Sequence, residues 1–398
     1  MSSARRPFLA RCLFIVTVVL PWLPAVRGVR IMLDCSGDCD ESLPRATWLK
    51  KVTGIDAAAI RQLGDAGVHD NLTASSGGPV ERSTAAAPRK VAFLFLLEGG
   101  LSQPDVWAAY FQHADPQLYG IYAHVGRGAA PRPGAVQGLA GATLIPTVPN
   151  EWCALFGAEV ALLRAALQDG EVAQFVFVAD DAVPLASFDR TYAAVMREPQ
   201  RSSFCLQAAP RSDGARHCRF FTNWEGTDLP KHEQFVTLGR AHARAVAERA
   251  LQALSAYADW ALDDEVYSRD ACSDEVAPLA ALLLGLPDQA PSSALEELGV
   301  QRECRTFAHW RGCAPDDLDA DGGGGEADVA EGVRHPATFR SISISYLRKL
   351  QRAGFLFLRK LSGDSVCSLC ADAAAGDVRP LSQVLPALWL SLDSPGDR

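Results

Sequence analysis

The most constraining feature of the sequence is an uninterrupted apolar run. Lys90 opens seven apolar residues at 91–97, which lead into a glutamate and two glycines at 98–100. The run is too short to span a membrane, and its Phe and Val residues favour a strand buried on both faces over a helix. A strand that ends in a glycine pair before a helix, here predicted over residues 103–111, is typical of ligand binding at the carboxyl edge of an α/β sheet. An ordinary core strand with a glycine turn fits the segment as well, because a lone glycine pair lacks the dinucleotide fingerprint.

Strands and helices alternate after this run. Strands are predicted over residues 119–125, 142–146 and 174–179, and an amphipathic helix over residues 154–168. This alternation predicts a mostly parallel sheet flanked by helices in a single large α/β domain. Weaker patterns complete the prediction, with strands at 203–207 and 234–238, a helix at 240–261, a helix at 276–284 capped by Ser273, and a basic helix or strand pair at 339–360.

The N-terminal segment has the features of a secretory signal. Three arginines within the first eleven residues precede the apolar residues 12–26, and Arg27 follows. Residues 1–28 are therefore predicted to be a cleaved signal peptide or an uncut signal-anchor, which would just reach across a bilayer. We favour the anchor despite its two prolines. The basic residues before it would keep the N-terminus cytoplasmic and place the rest of the chain in the lumen.

The rest of the chain divides by composition. Residues 29–89 are predicted to be a stem or linker that carries a glycosylation sequon at Asn71, and the folded domain is predicted to cover residues 90–361. Within that domain the Gly-rich residues 314–333 are expected to be a flexible insertion, and the C-terminal tail at 362–398 is expected to be loosely ordered.

Cysteine content and charge narrow the class of protein. Ten of the 11 cysteines lie outside the apolar N-terminal segment, an even number that suggests disulfides in an oxidising compartment. For Cys367 and Cys370, a disulfide is favoured over half of a zinc site or a redox pair, because the sequence has no second Cys or His pair at zinc spacing nearby. A net charge of −9 with no Lys- and Arg-rich run argues against nucleic acid as a partner.

Seven short motifs follow the first strand in order. They are Tyr119-Gly-Ile-Tyr-Ala-His124, Glu151-Trp152, Phe177-Val-Ala-Asp-Asp-Ala-Val-Pro-Leu185, Gln234-Phe-Val-Thr-Leu-Gly-Arg240, Cys272-Ser-Asp-Glu275, His335-Pro-Ala-Thr-Phe339 and Phe355-Leu-Phe-Leu-Arg-Lys360. Over roughly residues 90–361, this set resembles the core-2/I-branching N-acetylglucosaminyltransferase family, especially its divergent plant and algal branch. The resemblance implies a GT-A fold and a Golgi enzyme. Such an enzyme transfers N-acetylglucosamine or a related sugar from a UDP-sugar to a glycan acceptor, with inversion and with neither metal nor cofactor.

The resemblance also assigns roles to individual residues. Glu275 aligns with the general base that takes the proton of the acceptor hydroxyl, although a first-turn glutamate that merely complements a helix dipole would look the same. Lys360 matches the basic residue that neutralises the departing diphosphate. Arg340 is our choice for a second cation, with Arg348 and Arg359 as competitors. A solvated basic face is the plain alternative for these side chains.

Further residues are expected to contact substrate. Glu151 and Trp152 match the family's Glu-Trp step, and Asp181 occupies its ligand-contacting Ser-Glu position. Because Asp180 and Asp181 end a buried strand, a metal at this pair stays open as an alternative. The Asp-x-Asp spacing at 319–321 is rejected as a metal site, since it lies in the Gly-rich insertion.

Three departures from the family pattern favour a second class of function. Glu98 replaces a polar or basic turn beside the nucleotide, Cys153 replaces glycine, and Pro278 interrupts a helix. An anion near a diphosphate is repulsive. A noncatalytic glycan-binding or scaffold protein that keeps the fold is therefore the alternative to an enzyme. The enzyme hypothesis requires Glu275 and Lys360, far apart in sequence, to converge on one cleft.

Overall fold

A computed structural model describes eight segments of the chain, at residues 89–126, 134–206, 231–263, 272–284, 291–310, 327–329, 336–368 and 378–392. The N-terminal segment, the stem with Asn71, the Asp-x-Asp spacing at 319–321 and most of the insertion lie outside them. Within the described segments, no helix has both the length and the apolar character that crossing a bilayer requires.

The strands of the described segments form three sheets. They are β1 (Lys90–Leu97), β2 (Tyr119–Val125), β3 (Thr143–Leu144), β4 (Val172–Ala179), β5 (Val183–Pro184), β6 (Ser202–Ser203), β7 (Thr237–Gly239), β8 (Val300–Gln301), β9 (Thr306–Ala308), β10 (Ala327–Val329), β11 (Phe339–Ser343), β12 (Phe357–Arg359), β13 (Leu361–Ser368) and β14 (Val378–Pro380). The largest sheet has seven strands in the order β3-β2-β1-β4-β7-β6-β8. A four-stranded sheet has the order β10-β11-β13-β14, and a three-stranded sheet the order β5-β12-β9.

Parallel pairing dominates the centre of the large sheet. Strand β1 lies between β2 and β4 and is parallel to both, and β3 extends the parallel set beyond β2. Strand β7 then pairs antiparallel with β4. All residues of β4 and all apolar residues of β1 are buried, as expected for strands covered on both faces. The predicted mostly parallel sheet flanked by helices is confirmed.

Helices cover the sheets and continue to the end of the described chain. The α-helices are α1 (Pro104–Gln112), α2 (Phe156–Leu167), α3 (Phe188–Val195), α4 (Arg240–Glu248), α5 (Ala250–Asp263), α6 (Ala277–Leu283), α7 (Pro291–Glu297), α8 (Ile344–Arg352) and α9 (Leu381–Leu392). Helix α1 packs Trp107 edge-on against Phe95 of β1 and donates its indole N–H to the carbonyl of Ala182, 2.9 Å away. This contact ties the first helix to the loop that follows β4.

Several local predictions differ from the structure. The helix expected over residues 240–261 is divided at Arg249, whose side chain donates to the carbonyls of Ala281 and Leu284. Ser273 does not cap a helix. Its hydroxyl donates to the Cys153 carbonyl, and residues Ser273–Glu275 form a 3-10 turn before α6. Pro278 lies in the first turn of α6, where a missing N–H is tolerated.

The end of the chain also differs from expectation. Residues 339–360 form a strand, a helix and a second strand rather than one helix or a strand pair. We expected a loosely ordered tail after residue 361, yet β13, β14 and α9 occupy most of it. Leu385 and Trp389 of α9 are buried, and Trp389 packs edge-on against Tyr110 of α1. The sequence of this tail has no clear alternation of apolar and polar residues that would predict these elements. Helix α9 is stabilised instead by packing against α1.

Two disulfides lie wholly within the described residues. They join Cys153 to Cys272 and Cys205 to Cys304. Cys367 is disulfide-bonded as well, and Cys370, its predicted partner, lies outside the described residues. The even cysteine count predicted disulfides, and the structure shows which of these cysteines are joined.

Candidate functional site

The candidate site begins where β1 and β4 end side by side. The backbone N–H of Glu98, just after β1, donates to Oδ2 of Asp180, just after β4, over 2.9 Å. Burial, followed by the charge of Asp181, raises the pKa of Asp180 to about 6. The carboxyl ends of parallel strands meet at one edge, so this pair marks the edge at which α/β sheets bind ligands.

Asp181 is held by two cations from the opposite end of the sequence. Nε of Arg359 donates to Oδ1 over 3.0 Å and its Nη2 to Oδ2 over 3.2 Å, and Nζ of Lys360 lies 3.8 Å from Oδ2. Burial is the largest single influence and lowers the pKa of Arg359. The charge and hydrogen bonds of Asp181, together with the charges of Glu233 and Asp180, outweigh it, so the pKa is raised. Arg359 also lies over the Phe235 ring, 4.4 Å from its centroid.

Glu275 lies in a second, mostly buried ion pair. Its Oε2 is 3.0 Å from Nζ of Lys231 and accepts the backbone N–H of Cys272 over 3.1 Å. The side chains of Lys231 and Glu275 are only 11% and 13% exposed, so the pair is largely shielded from water. The Cys153–Cys272 disulfide and the bond from the Ser273 N–H to the Cys153 carbonyl fix the turn that carries Glu275.

One short segment links the two ion pairs. The backbone N–H of His232 donates to the Glu275 carbonyl over 2.8 Å, and Phe235 lies beneath Arg359. Three residues of chain span at most about 11 Å, so the turn of Glu275 and the Arg359 side chain lie near each other. Because Lys360 follows Arg359, Glu275 and Lys360 lie in the same region of the structure.

Glu233 lies within this linking segment. Its Oε1 accepts the indole N–H of Trp310 over 2.9 Å. Burial raises its pKa to about 7, and the negative charge of Glu275 adds to the shift. Because the charges of both Lys231 and Arg359 act in the opposite direction, Glu233 is electrostatically coupled to both ion pairs.

Two further buried acidic residues, Asp274 and Glu159, are electrostatically coupled to Glu275. Asp274 is 3% exposed, and burial followed by the charge of Glu275 raises its pKa to about 7. Glu159 of α2 is 1% exposed, and neither of its carboxylate oxygens has a hydrogen-bond partner in the described part of the chain. Burial and the charges of Asp274 and Glu275 raise its pKa well above the ordinary value. Burial and the neighbouring acids therefore favour the uncharged form of Glu159.

The remaining predicted residues, Glu151, Trp152 and Arg340, are exposed to solvent around the two ion pairs or farther away. Trp152 is 62% exposed and precedes Cys153, whose disulfide places it beside the Glu275 turn. Glu151, also exposed, precedes it. Arg340 lies on the exposed side of β11, where its charge adds to the hydrogen bond from Ser362 in lowering the pKa of Asp364. Among the three arginines considered for the second cation, Arg359 is thus the one shown to pair with Asp181.

Sequence reasoning missed part of this arrangement. Lys231, Glu233, Asp274 and Glu159 were not singled out. Lys231-His232-Glu233 places three titratable residues directly before the Gln234 motif, and Glu159 is a lone acid in the apolar run of α2. Both are recognisable signals, because charged residues beside buried segments need a reason to be there.

A metal would need oxygen ligands that are free to bind it. Within the described segments, no group of three or more His, Cys, Asp or Glu side chains is arranged to hold a metal ion. Both carboxylate oxygens of Asp181 already accept bonds from Arg359. Asp181 is therefore engaged with cationic side chains, and Asp180 accepts the backbone N–H of Glu98.

Comparison with known proteins gives one relative with a stated activity. No family model matches the chain. Over 176 residues it is 31% identical to "Glycosyltransferase BC10" from Oryza sativa subsp. japonica, a stretch that covers 40% of this chain and 40% of the relative. The chain is similar to a glycosyltransferase. The match spans less than half of the length of either protein.

The chain also matches a solved structure. The crystal structure of A197 from STIV matches 39% of this chain and 67% of its own length, with 14% sequence identity and a TM-score of 0.21. That score is too low to inform the fold or the site.

Proposed function

We propose that the chain is an inverting glycosyltransferase of GT-A fold that moves N-acetylglucosamine or a related sugar from a UDP-sugar to a hydroxyl of a glycan. The similarity to a rice glycosyltransferase supports glycosyl transfer in general. The single observation that carries the finer proposal is the meeting of the Glu275 ion pair with the Arg359 and Lys360 cations at one edge of the sheet.

Glu275 is the proposed general base. Inversion requires one carboxylate to take the proton from the acceptor hydroxyl as its oxygen attacks the anomeric carbon. In the absence of substrate, Lys231 and the Cys272 N–H hold the Glu275 carboxylate in place. A hydroxyl that approaches the carboxylate would bond to the oxygen that these groups leave free, because a carboxylate accepts more bonds than Oε2 alone receives here.

Lys360 is the proposed contact of the leaving diphosphate. The diphosphate gains negative charge as the sugar departs, and a preorganised cation stabilises that charge in the transition state. The Lys360 side chain is 35% exposed, more than those of Arg359 and Lys231. Arg359 balances Asp181 and positions Lys360 next to it. We propose that these cations take the place of a divalent metal and that no cofactor is used.

Substrate contact is proposed at the rim as well. Trp152, exposed beside the Glu275 turn, offers an aromatic face to an acceptor sugar, and Glu151 offers a carboxylate to its hydroxyls. We propose a Golgi location with the site in the lumen, supported by the signal-like residues 1–28 and by the disulfides.

The proposal is tested on the purified full-length protein. A panel of UDP-sugars is offered with glycan acceptors, in EDTA or in Mn²⁺, and free UDP is measured. We expect turnover of one donor that is equal in both conditions. The Glu275→Gln variant should lose it, and Glu296→Gln, an exposed glutamate on α7, should keep it. Full activity of the Glu275→Gln variant would refute the role of Glu275, and activity only with Mn²⁺ would refute the metal-free mechanism.

A noncatalytic glycan-binding protein is the second candidate. The negative charge of Glu98 contributes to the raised pKa of Asp180 at the same edge of the sheet. An anionic nucleotide sugar would therefore be repelled by acidic residues there as well as attracted by the cations. Calorimetric titration separates the candidates. Binding of a UDP-sugar favours the enzyme, and binding of glycans with no UDP-sugar affinity favours the second candidate.

A further inference from the structure

The backbone of Cys153 has a conformation that favours glycine. Its φ is 71°, in the left-handed region, and no other non-glycine residue of the described segments has a positive φ. A residue with a Cβ is destabilised in this conformation by an amount worth roughly tenfold in an equilibrium constant. Because the sequence places a cysteine here, a contact made by that residue must offset the strain.

The disulfide from Cys153 to Cys272 is the contact that offsets it. It joins the segment that carries the exposed Trp152 to the turn that carries Glu275. The backbone N–H of Cys272 donates to Oε2 of Glu275 over 3.1 Å. The disulfide therefore acts on the position of the proposed base through the backbone of a residue that the base itself contacts.

Three hydrogen bonds join the same two segments. The N–H and the hydroxyl of Ser273 both donate to the carbonyl of Cys153, over 3.2 Å and 3.3 Å. The N–H of Leu155 donates to Oδ1 of Asp274 over 3.3 Å. The bonds from Ser273 require the Cys153 carbonyl to keep its direction, which the strained backbone sets. Strain and hydrogen bonding thus act in opposite directions on this link, and the disulfide favours the linked state.

The second disulfide, Cys205–Cys304, provides a comparison. The two disulfides span 119 and 99 residues of sequence, so loop entropy hardly distinguishes them. Cys205 is 3% exposed, and neither end has a positive φ. Cys153 and Cys272 are both partly exposed. Because strained and accessible disulfides are reduced more readily than unstrained, buried ones, the two should differ in their response to a thiol.

We propose that Cys153–Cys272 is a redox switch that positions Glu275, a role whose functional consequence rests on the proposed transfer reaction. The reductant is a small dithiol. One of its thiolates attacks a disulfide sulfur and forms a mixed disulfide, and its second thiol then displaces the protein. The bond between Cys153 and Cys272 breaks, both become thiols by gaining two electrons and two protons in total, and the dithiol becomes a disulfide. The backbone of Cys153 then leaves the strained conformation, and the Glu275 turn loses its link to the Trp152 segment.

The order of reduction tests the chemistry of the switch. Full-length protein is equilibrated with graded ratios of reduced to oxidised dithiothreitol, free thiols are alkylated, and the cysteine peptides are quantified by mass spectrometry. We expect the Cys153–Cys272 disulfide to be half reduced at a ratio roughly tenfold lower than the second disulfide requires. Reduction of the second disulfide first, or of both at the same ratio, would overturn the proposal. This measurement needs no enzymatic turnover.

A glycine at position 153 tests the strain. Cys153→Gly with Cys272→Ser removes the disulfide, but glycine adopts a positive φ without steric cost, so the bonds from Ser273 remain. Cys153→Ser with Cys272→Ser removes the disulfide and keeps the Cβ. Hydrogen exchange of the peptides around residues 153 and 275 should be slower in the glycine variant, and its kcat should be higher by up to about tenfold. Equal exchange and equal kcat in the two variants would refute strain as the cause.

The response of turnover to dithiothreitol connects the switch to the site. In the wild type, kcat should fall on reduction and recover when the disulfide is formed again. Cys205→Ser with Cys304→Ser, the matched control, should keep this response, and the glycine variant should lack it. A response that persists in the glycine variant would overturn the proposal. Absence of turnover in the untreated wild type would instead count against the proposed transfer reaction, and the order of reduction would then decide separately on the switch.

Discussion

Replacement of Asp274 by asparagine tests the electrostatics behind Glu275. Asp274 is 3% exposed, and its Oδ1 accepts the backbone N–H of Leu155 over 3.3 Å. Asparagine keeps the shape and this acceptor but cannot ionise. The variant therefore removes the cost of a buried negative charge next to Glu275 while leaving the local packing in place.

The size of the effect follows from the pKa. Burial, with the charge of Glu275, raises the pKa of Asp274 from 3.8 to about 7. The folded chain thus binds more protons than the unfolded chain between these two values, and stability falls as pH rises through that window. Above pH 7 the cost is constant. A shift of about three pKa units corresponds to an upper limit on the order of 4 kcal/mol.

We therefore expect Asp274→Asn to be more stable than wild type by an amount that grows by roughly 3 kcal/mol between pH 4.5 and pH 7 and then levels off. Urea unfolding followed by tryptophan fluorescence at a series of pH values measures this difference. Asp105→Asn, the same replacement at an exposed carboxyl in the first turn of α1, is the control for the substitution itself. Parallel stability curves for wild type and Asp274→Asn would refute the reasoning.

Three more predictions concern the same region. Lys231→Met should destabilise the fold by about 3–5 kcal/mol, because it leaves the Glu275 carboxylate buried without its cation; urea unfolding should show most of the loss recovered by adding Glu275→Gln, and no recovery would count against the ion pair. Glu233→Gln should remove a titration near pH 7 from the pH–rate profile of the proposed transfer, since burial raises the pKa of Glu233 to about 7 and its charge is coupled to both ion pairs; an unchanged profile would show that the charge of Glu233 does not influence the transfer. The Cys153→Ser, Cys272→Ser double variant should lose about 2–5 kcal/mol in thermal or urea unfolding, and equal stability would argue that the disulfide does not constrain the turn.

Local patterns explain why much of the fold could be predicted. The predicted strands at 90–97 and 119–125 match β1 and β2 residue for residue. A buried parallel strand needs a continuous apolar run, and a run bounded by charged residues or glycines has defined ends. The Asp180–Asp181 pair followed directly from the end of β4, because residues after parallel strands converge at one edge.

The choice among basic residues could not be made in this way. Strand β12 pairs antiparallel with β5, with Leu358 opposite Val183, and this register carries Arg359 to Asp181. Strands β5 and β12 are more than 170 residues apart in sequence, at 183–184 and 357–359, and each is only two or three residues long. Short strands carry too little alternation to fix a register. Sequence reasoning therefore ranked Arg340 above Arg359.

The acid content of the site determines which charge remains for a ligand. Six carboxyl groups face three cations, Lys231, Arg359 and Lys360. Four of the six have raised pKa values, namely Glu159, Asp180, Glu233 and Asp274. The two others are paired at 3.0 Å, Asp181 with Arg359 and Glu275 with Lys231.

Within the described site, Lys360 is the cation that is least engaged with an acid. Its Nζ is 3.8 Å from Asp181, and its side chain is the most exposed of the three. An anionic donor would be attracted to Lys360 most strongly at a pH at which Asp180 and Glu233 are protonated, so donor affinity should weaken as pH rises from 6 through 7.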